Sequence, residues 1–338
     1  MAARSIALDY GSVLDRDDEK RRIDNISGAA VCAGQLWTVS DEGFSFERLS
    51  LIEGGFGAAG TFPLSDYFTG YPPDGEDEAD LEGLAADGDR LWFVGSHALT
   101  RKKYAKQPAD ALLGKFKAKR QQARTLLGYV EISPAGLPVS ASGHALPLGD
   151  ELGSLIAEMR NDWPELEVAT RRPAKENGLD IEGIAASGNR VFLGLRGPVL
   201  GPYGIVVEIL VEGTDEGLRI VRRDGLACRP HLIDTGGLGI RDLTMHPKGL
   251  IAIVGPTLDT GGSFKLLLAP GPLNAWDPSP GQARETILLC ELDTRGDTRR
   301  PEAVTLHAGG LLVIYERKNE DGDPRIVIAD FLSPPALD

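Results

Sequence analysis

The chain has 338 residues, 42 of them Gly and 22 of them Pro, with 42% hydrophobic and 25% charged residues. This composition excludes a disordered or collagen-like chain, and turn formers this dense favour many short strands over long helices. The net charge is −14, from 36 basic and 50 acidic side chains, which repels phosphate backbones and excludes nucleic acid as the default partner.

No apolar run approaches the about 18 residues of a membrane span. The N-terminal stretch turns acidic before a signal-peptide core forms. Cys32, Cys228 and Cys290 form no CxxC or Cys/His cluster, so reduced thiols and a cytoplasmic location are expected.

In chain order, residues 4–10 read as a strand with no hairpin of their own. A repeated hairpin follows. Its copies are SGAAVCAGQLWTVSDE from Ser27, EGLAADGDRLWFVGSH from Glu82, EGIAASGNRVFLGLRG from Glu182, DLTMHPKGLIAIVGPT from Asp242 and EAVTLHAGGLLVIYER from Glu302. Each copy is a small or apolar strand, a turn holding Gly34, Gly88, Gly188, Gly249 or Gly309, and a stronger apolar strand. Two more candidate strands follow most hairpins, for example 204–211 and 218–223, or 264–268 and 285–292.

The starts lie 55, 100, 60 and 60 residues apart, and 63 residues separate the last from the first through the chain ends. Four strands per unit at near-constant circular spacing predict an all-β fold. The reading is a single β-propeller over residues 1–338 with five blades, six being the alternative. The long interval predicts insertions at about 101–125 and 150–179, the first a helical insertion in the second blade. Pairing of residues 4–10 with 325–331 would close the ring.

In such a ring, strand-one starts and strand-two ends share one mouth. Four of the five starts are carboxylates, Glu82, Glu182, Asp242 and Glu302, each opening an apolar strand where a charge needs a partner. They must be protonated, paired with Arg196, Arg241 or Arg317, or bridged by a cation. Together with Asn25, these four form a hard oxygen set suited to Ca²⁺ or Mg²⁺; no organic cofactor is expected. The structural alternative is that each acid accepts backbone N–H groups from the neighbouring blade.

Two residues are unique at their repeat positions: His97, suited to moving protons, and Arg196, suited to gripping an anion. Residues 101–124 hold nine Lys or Arg and one Asp, a local charge of +8 that leaves −22 for the rest. This suggests a cationic flank attracting a small anionic ligand to the channel mouth. The expected function is metal-dependent hydrolysis of a small anionic ester, lactone or phosphoester. A non-catalytic ligand- or protein-binding propeller is the alternative, and no protein partner is indicated.

The segments DLEGLA…LWFVGSHALTRK, DIEGIA…VFLGLRGPV, GIRDLTMHPKGLIAIVGP and PEAVTLHAGGLLVIYERK resemble an uncharacterised bacterial propeller-like family, the domain of unknown function numbered 3616. The resemblance runs from about residue 25 to 331. More distantly, the D-x-E-G repeats resemble phytase-like and SMP-type lactonase propellers. That resemblance implies calcium held by channel acids, which would map onto Glu82, Glu182, Asp242 or Glu302.

Overall fold

The structure, a computed structural model, describes residues 3–11, 22–76, 78–101, 118–258, 261–271, 283–296, 298–317, 323, 325–333 and 337. It is mostly β. After β1 (Arg4–Asp9), the first unit runs outward through β2 (Ile26–Cys32), β3 (Gln35–Ser40), β4 (Ser45–Ile52) and β5 (Gly55–Pro63). The second joins β6 (Leu81–Asp87) and β7 (Arg90–Gly95) to β10 (Leu127–Glu131) and β11 (His144–Ala145). Between them, β8 (Leu99–Thr100) and β9 (Lys119–Arg120) form a two-stranded ribbon.

Two helices follow, α1 (Leu155–Asp162) and α2 (Pro164–Thr170). Ser154 caps α1 by accepting the Ala157 N–H, and Pro164 opens α2, where its missing donor costs nothing. The helix expected within 101–125 falls mostly on residues 102–117, outside the described residues.

The third unit is β12 (Asp180–Ser187), β13 (Arg190–Leu200) and β14 (Tyr203–Thr214), whose outer edge is shared by β15 (Gly217–Val221) and β16 (Cys228–Asp234). The fourth is β17 (Gly239–His246), β18 (Gly249–Gly255), β19 (Phe264–Pro270) and β20 (Ile287–Leu292). The last hairpin, β21 (Arg299–His307) and β22 (Gly310–Arg317), continues into β23 (Ile326–Leu332).

β1 pairs antiparallel with β23, Arg4 opposite Phe331 and Asp9 opposite Ile326. It also pairs in parallel with β5, which joins the first and last units into one eight-stranded sheet. The pairing removes the outer edges that two separate sheets would expose.

The five innermost strands touch in a closed cycle: β2 against β6, β6 against β12, β12 against β17, β17 against β21, and β21 against β2. Among the described residues the core divides into five apolar clusters, one between each pair of neighbouring units. Along β18, Leu250, Ala252 and Val254 enter one cluster while Ile251 and Ile253 enter the next. A strand buried on both faces needs an unbroken apolar run, which is what the second strand of each hairpin supplies.

Tight packing at the axis requires glycine at one level. A Cβ on Gly28 would lie 2.7 Å from the Gly83 Cα. Gly28→Ala must push β2 from β6, and is expected to lower stability by about 1–3 kcal/mol. A urea midpoint equal to that of the parent protein would contradict this.

Candidate active site

Every inner strand carries a register shift near its start: Ile26/Gly28, Leu81/Gly83, Ile181/Gly183, Ile240/Asp242 and Pro301/Ala303. A bulge leaves one residue out of the ladder and re-aims its side chain. The five bulged residues are Ser27, Glu82, Glu182, Arg241 and Glu302.

This register corrects the sequence alignment in the fourth unit, where the repeat position belongs to Arg241 and not Asp242. There His246 pairs with Gly249, so the turn is Pro247–Lys248 and Gly249 already belongs to β18. Reading Gly249 as a turn residue moves the strand by one position.

Arg241 stands between two of the predicted acids. Its Nη1 donates to Glu182 Oε1 at 3.2 Å and lies 2.9 Å from Oε2. Its Nε donates to Glu302 Oε2 at 3.1 Å, and its Nη2 reaches both Glu302 oxygens. Arg196, just beyond the pairing of Leu195 with Ile181, donates through Nη1 to Glu182 Oε1 at 2.8 Å and through Nε to the Thr257 carbonyl at 3.0 Å. Glu182, Arg241 and Glu302 are all more than nine-tenths buried. Two carboxylates and two guanidiniums thus neutralise one another on this side of the mouth.

The other side is less balanced. Asp80 accepts from Ser96 Oγ and Arg124 Nη1, and Arg124 also pairs with Glu78. Asp180 is 7% exposed, with Arg196 Nη1 3.9 Å away. Asp41 Oδ1 is buried with no hydrogen-bond partner among the described residues. Glu82 has neither hydrogen bond nor ion pair among the described residues.

Burial first, then neighbouring carboxylates, shifts these groups. Asp41 is pushed up to about 7 by burial, Glu42, Glu316 and Glu302, with Arg124 opposing. Asp180 reaches about 7 through burial and Glu182, with Arg196 opposing. Asp80 and Glu82 rise well above the carboxylate range, and Glu82 feels Asp80, Glu182, Asp41 and Asp180. The backbone at Asp80 (φ +47°) and His97 (φ +54°) is left-handed. Each costs on the order of 1–3 kcal/mol, and such strain clusters at functional sites.

His97 does not stand free at the mouth. It is buried, and its Nδ1 lies 2.8 Å from the Gly95 carbonyl. A carbonyl only accepts, so Nδ1 carries the proton. Burial holds the ring neutral down to about 4. Asn25 reaches the mouth through its backbone, its carbonyl accepting the Asp41 N–H at 3.3 Å.

Asp242 lies between units four and five, where its Oδ2 accepts the Val304 N–H at 2.7 Å. That is the structural alternative, realised at one seam. At another, Ser27 Oγ donates to the Leu81 carbonyl. Burial raises the Asp242 carboxyl well above its ordinary range, and its Oδ1 has no hydrogen-bond partner among the described residues. Asp242→Asn keeps the acceptor for Val304, so a stability change within about 1 kcal/mol is expected from urea unfolding. A larger loss would mean that the group is ionised.

A family model described as "Protein of unknown function (DUF3616)" matches residues 25–330. The chain belongs to this family. No curated protein matches it. Similar solved structures include Myxococcus xanthus glutaminyl cyclase, at 12% identity and a TM-score of 0.42, covering 98% of this chain and 100% of that one. They also include the PQQ-bound aldose sugar dehydrogenase of Streptomyces coelicolor, at 12% identity and a TM-score of 0.40, covering 98% of both chains. A putative 6-phosphogluconolactonase from Bacteroides uniformis covers 86% of this chain and 79% of its own, at 13% identity and a TM-score of 0.34.

In this DUF3616 chain the predicted metal set does not fit a divalent cation. Glu182 and Glu302 are already bonded to Arg241, Asp242 points into a seam, and a guanidinium stands at the fourth unit's bulge. Among the described residues no group of three or more His, Cys, Asp and Glu could hold a metal ion. Nor is any described helix long and apolar enough to cross a membrane.

Sequence reasoning named Arg196 and Arg241 as partners for the acids. It missed Arg124, whose only sequence signal is membership of the basic insertion.

Proposed function

We propose that the DUF3616 chain is a single five-bladed propeller, enlarged at about 101–125 and 150–179, and that its mouth hydrolyses a small ester or lactone by carboxyl acid–base chemistry. The observation that carries the reading is the pair Asp41 and Glu82, two carboxyls of the first and second units that no guanidinium holds among the described residues. Asp41, poised near neutrality, takes a proton from an attacking water. Glu82, kept protonated by burial, gives its proton to the leaving oxygen. The products are a carboxylic acid and an alcohol; Asp41 releases its proton to solvent and Glu82 regains one from it, which restores both groups.

His97 and Arg196 then support the site without reacting. His97 fixes the loop after β7, and Arg196 holds Glu182 in place. No metal step belongs to this reading. A phosphoester is also outside it, because its charge would meet the excess of carboxyls. The unpaired Cys32, Cys228 and Cys290 suit the cytoplasm, which is our assignment of its location.

Glu82→Gln and Asp41→Asn should each lower kcat for a small neutral ester by about 100-fold or more. A parent protein that turns over no ester or lactone, yet binds a ligand at the mouth, would favour the non-catalytic binding propeller instead.

A further inference from the structure

We infer that β20 pairs along its free edge with β20 of a second copy of this chain, antiparallel, about a twofold axis between Leu288 and Leu289. β20 is the last strand of its sheet, and no described strand pairs with its other side. Among the described residues the other outer strands are covered or short. β5 pairs with β1, β11 has two residues, and β15 lies against β11. β16 is bonded at Leu232 and Asp234 to the backbone of Arg284. A free edge presents a row of backbone donors and acceptors, which natural sheets cover, shorten or charge. β20 has six residues, and its stretch 287–290 carries no charge, with Ile287 45% and Leu288 52% exposed.

The sequence of the edge says which strand fits it. Residues 284–293 read RETILLCELD. An antiparallel second copy sets Ile287 opposite Cys290 and Leu288 opposite Leu289, so the apolar block is its own partner. A slip of one residue in either direction sets Glu285 opposite Glu291 or Asp293, and like charges directly opposed are unfavourable. The unslipped axis instead brings Arg284 to Asp293 of the second copy, and symmetry makes every contact twice. The chain entering β20 is already fixed to the third unit through Arg284, so pairing orders little new backbone. A bulge at Leu289 twists the strand, and six residues bury less than the about 1,200 Å² of a standard interface, so the dimer is a weak one.

Two chains of −14 repel at long range. The test is therefore sedimentation velocity of the whole protein at about 0.15 M NaCl, where the screening length is about 8 Å. The expected result is a monomer at low micromolar concentration and a growing dimer fraction toward millimolar. Ile287→Lys should weaken association about tenfold or more, with the melting temperature retained because the side chain is half exposed. A second variant reads the register. Under oxidised glutathione, Ile287→Cys should link to Cys290 of the second copy, because opposed antiparallel residues have Cα atoms about 4.5–5.5 Å apart.

A monomer at every concentration would overturn the inference, even if a foreign strand such as the peptide Lys-Val-Thr-Val-Thr-Val-Lys binds the edge instead. So would a dimer that Ile287→Lys leaves intact, or a link between the two introduced thiols in place of the one to Cys290. If Ile287→Lys does not fold, the concentration series and the cross-link still decide.

Discussion

Arg241→Met is expected to cost about 3–5 kcal/mol of folding stability, the range for removing one member of a buried ion pair. Arg241 is 6% exposed and bonds acids on both neighbouring inner strands, so its loss leaves Glu182 with Arg196 alone and strips Glu302 of its bidentate partner. For a chain of this size that corresponds to a fall in melting temperature of roughly 4–7 °C. The cause is the stranded carboxylates, not lost packing, since methionine fills much of the same space. Adding Glu182→Gln and Glu302→Gln to Arg241→Met should therefore recover most of the loss. Near-additive losses in the triple variant would instead assign the effect to packing around β17.

The same residue marks the limit of what the sequence made legible. The hairpins were visible because each has a turn and an apolar second strand that must be buried on both faces, as in 250–254. The closing pair of β1 with β23 was visible because residues 4–10 read as a strand with no hairpin of their own. What failed was register in the fourth unit. A glycine there has φ +148° and begins a strand, while Pro247 and Lys248 make the turn. One position of slip exchanges Arg241 for Asp242, and so changes a ring of four acids suited to a cation into an arginine bonded to two acids, Glu182 and Glu302, with Glu82 apart. The difference is the sign of a single buried charge, about which hydrophobic pattern carries no information. Parallel pairing of β1 with β5 and the extra strand β16 depend on contacts distant in sequence, which periodicity does not encode.

Stability should fall as the pH rises from 6 to 8. Asp41 and Asp180 have folded values of about 7 against an ordinary 3.8, and Glu47, buried beside Arg22, also rises to about 7. Between the two values the folded state holds protons that the unfolded chain releases. The stability from such a group is therefore complete below about 4 and is lost as pH rises through 7. Each contributes a slope of about 1.4 kcal/mol per pH unit within that window. Asp80, Glu82 and Asp242, raised further, extend the loss to higher pH. His97 works in the opposite sense: its folded value near 4 lies below its ordinary 6.5, so it removes stability as pH falls below 6.5. One histidine is outnumbered by these carboxyls, and comparing pH 6 with pH 8 leaves most of its window aside. Urea unfolding at the two pH values should show the higher midpoint at pH 6, and Asp41→Asn with Asp180→Asn should flatten the difference. A midpoint that rises toward pH 8 would mean that the mouth carboxyls are ionised in the folded protein, and the proton on Glu82 that the proposed chemistry needs would be gone with them.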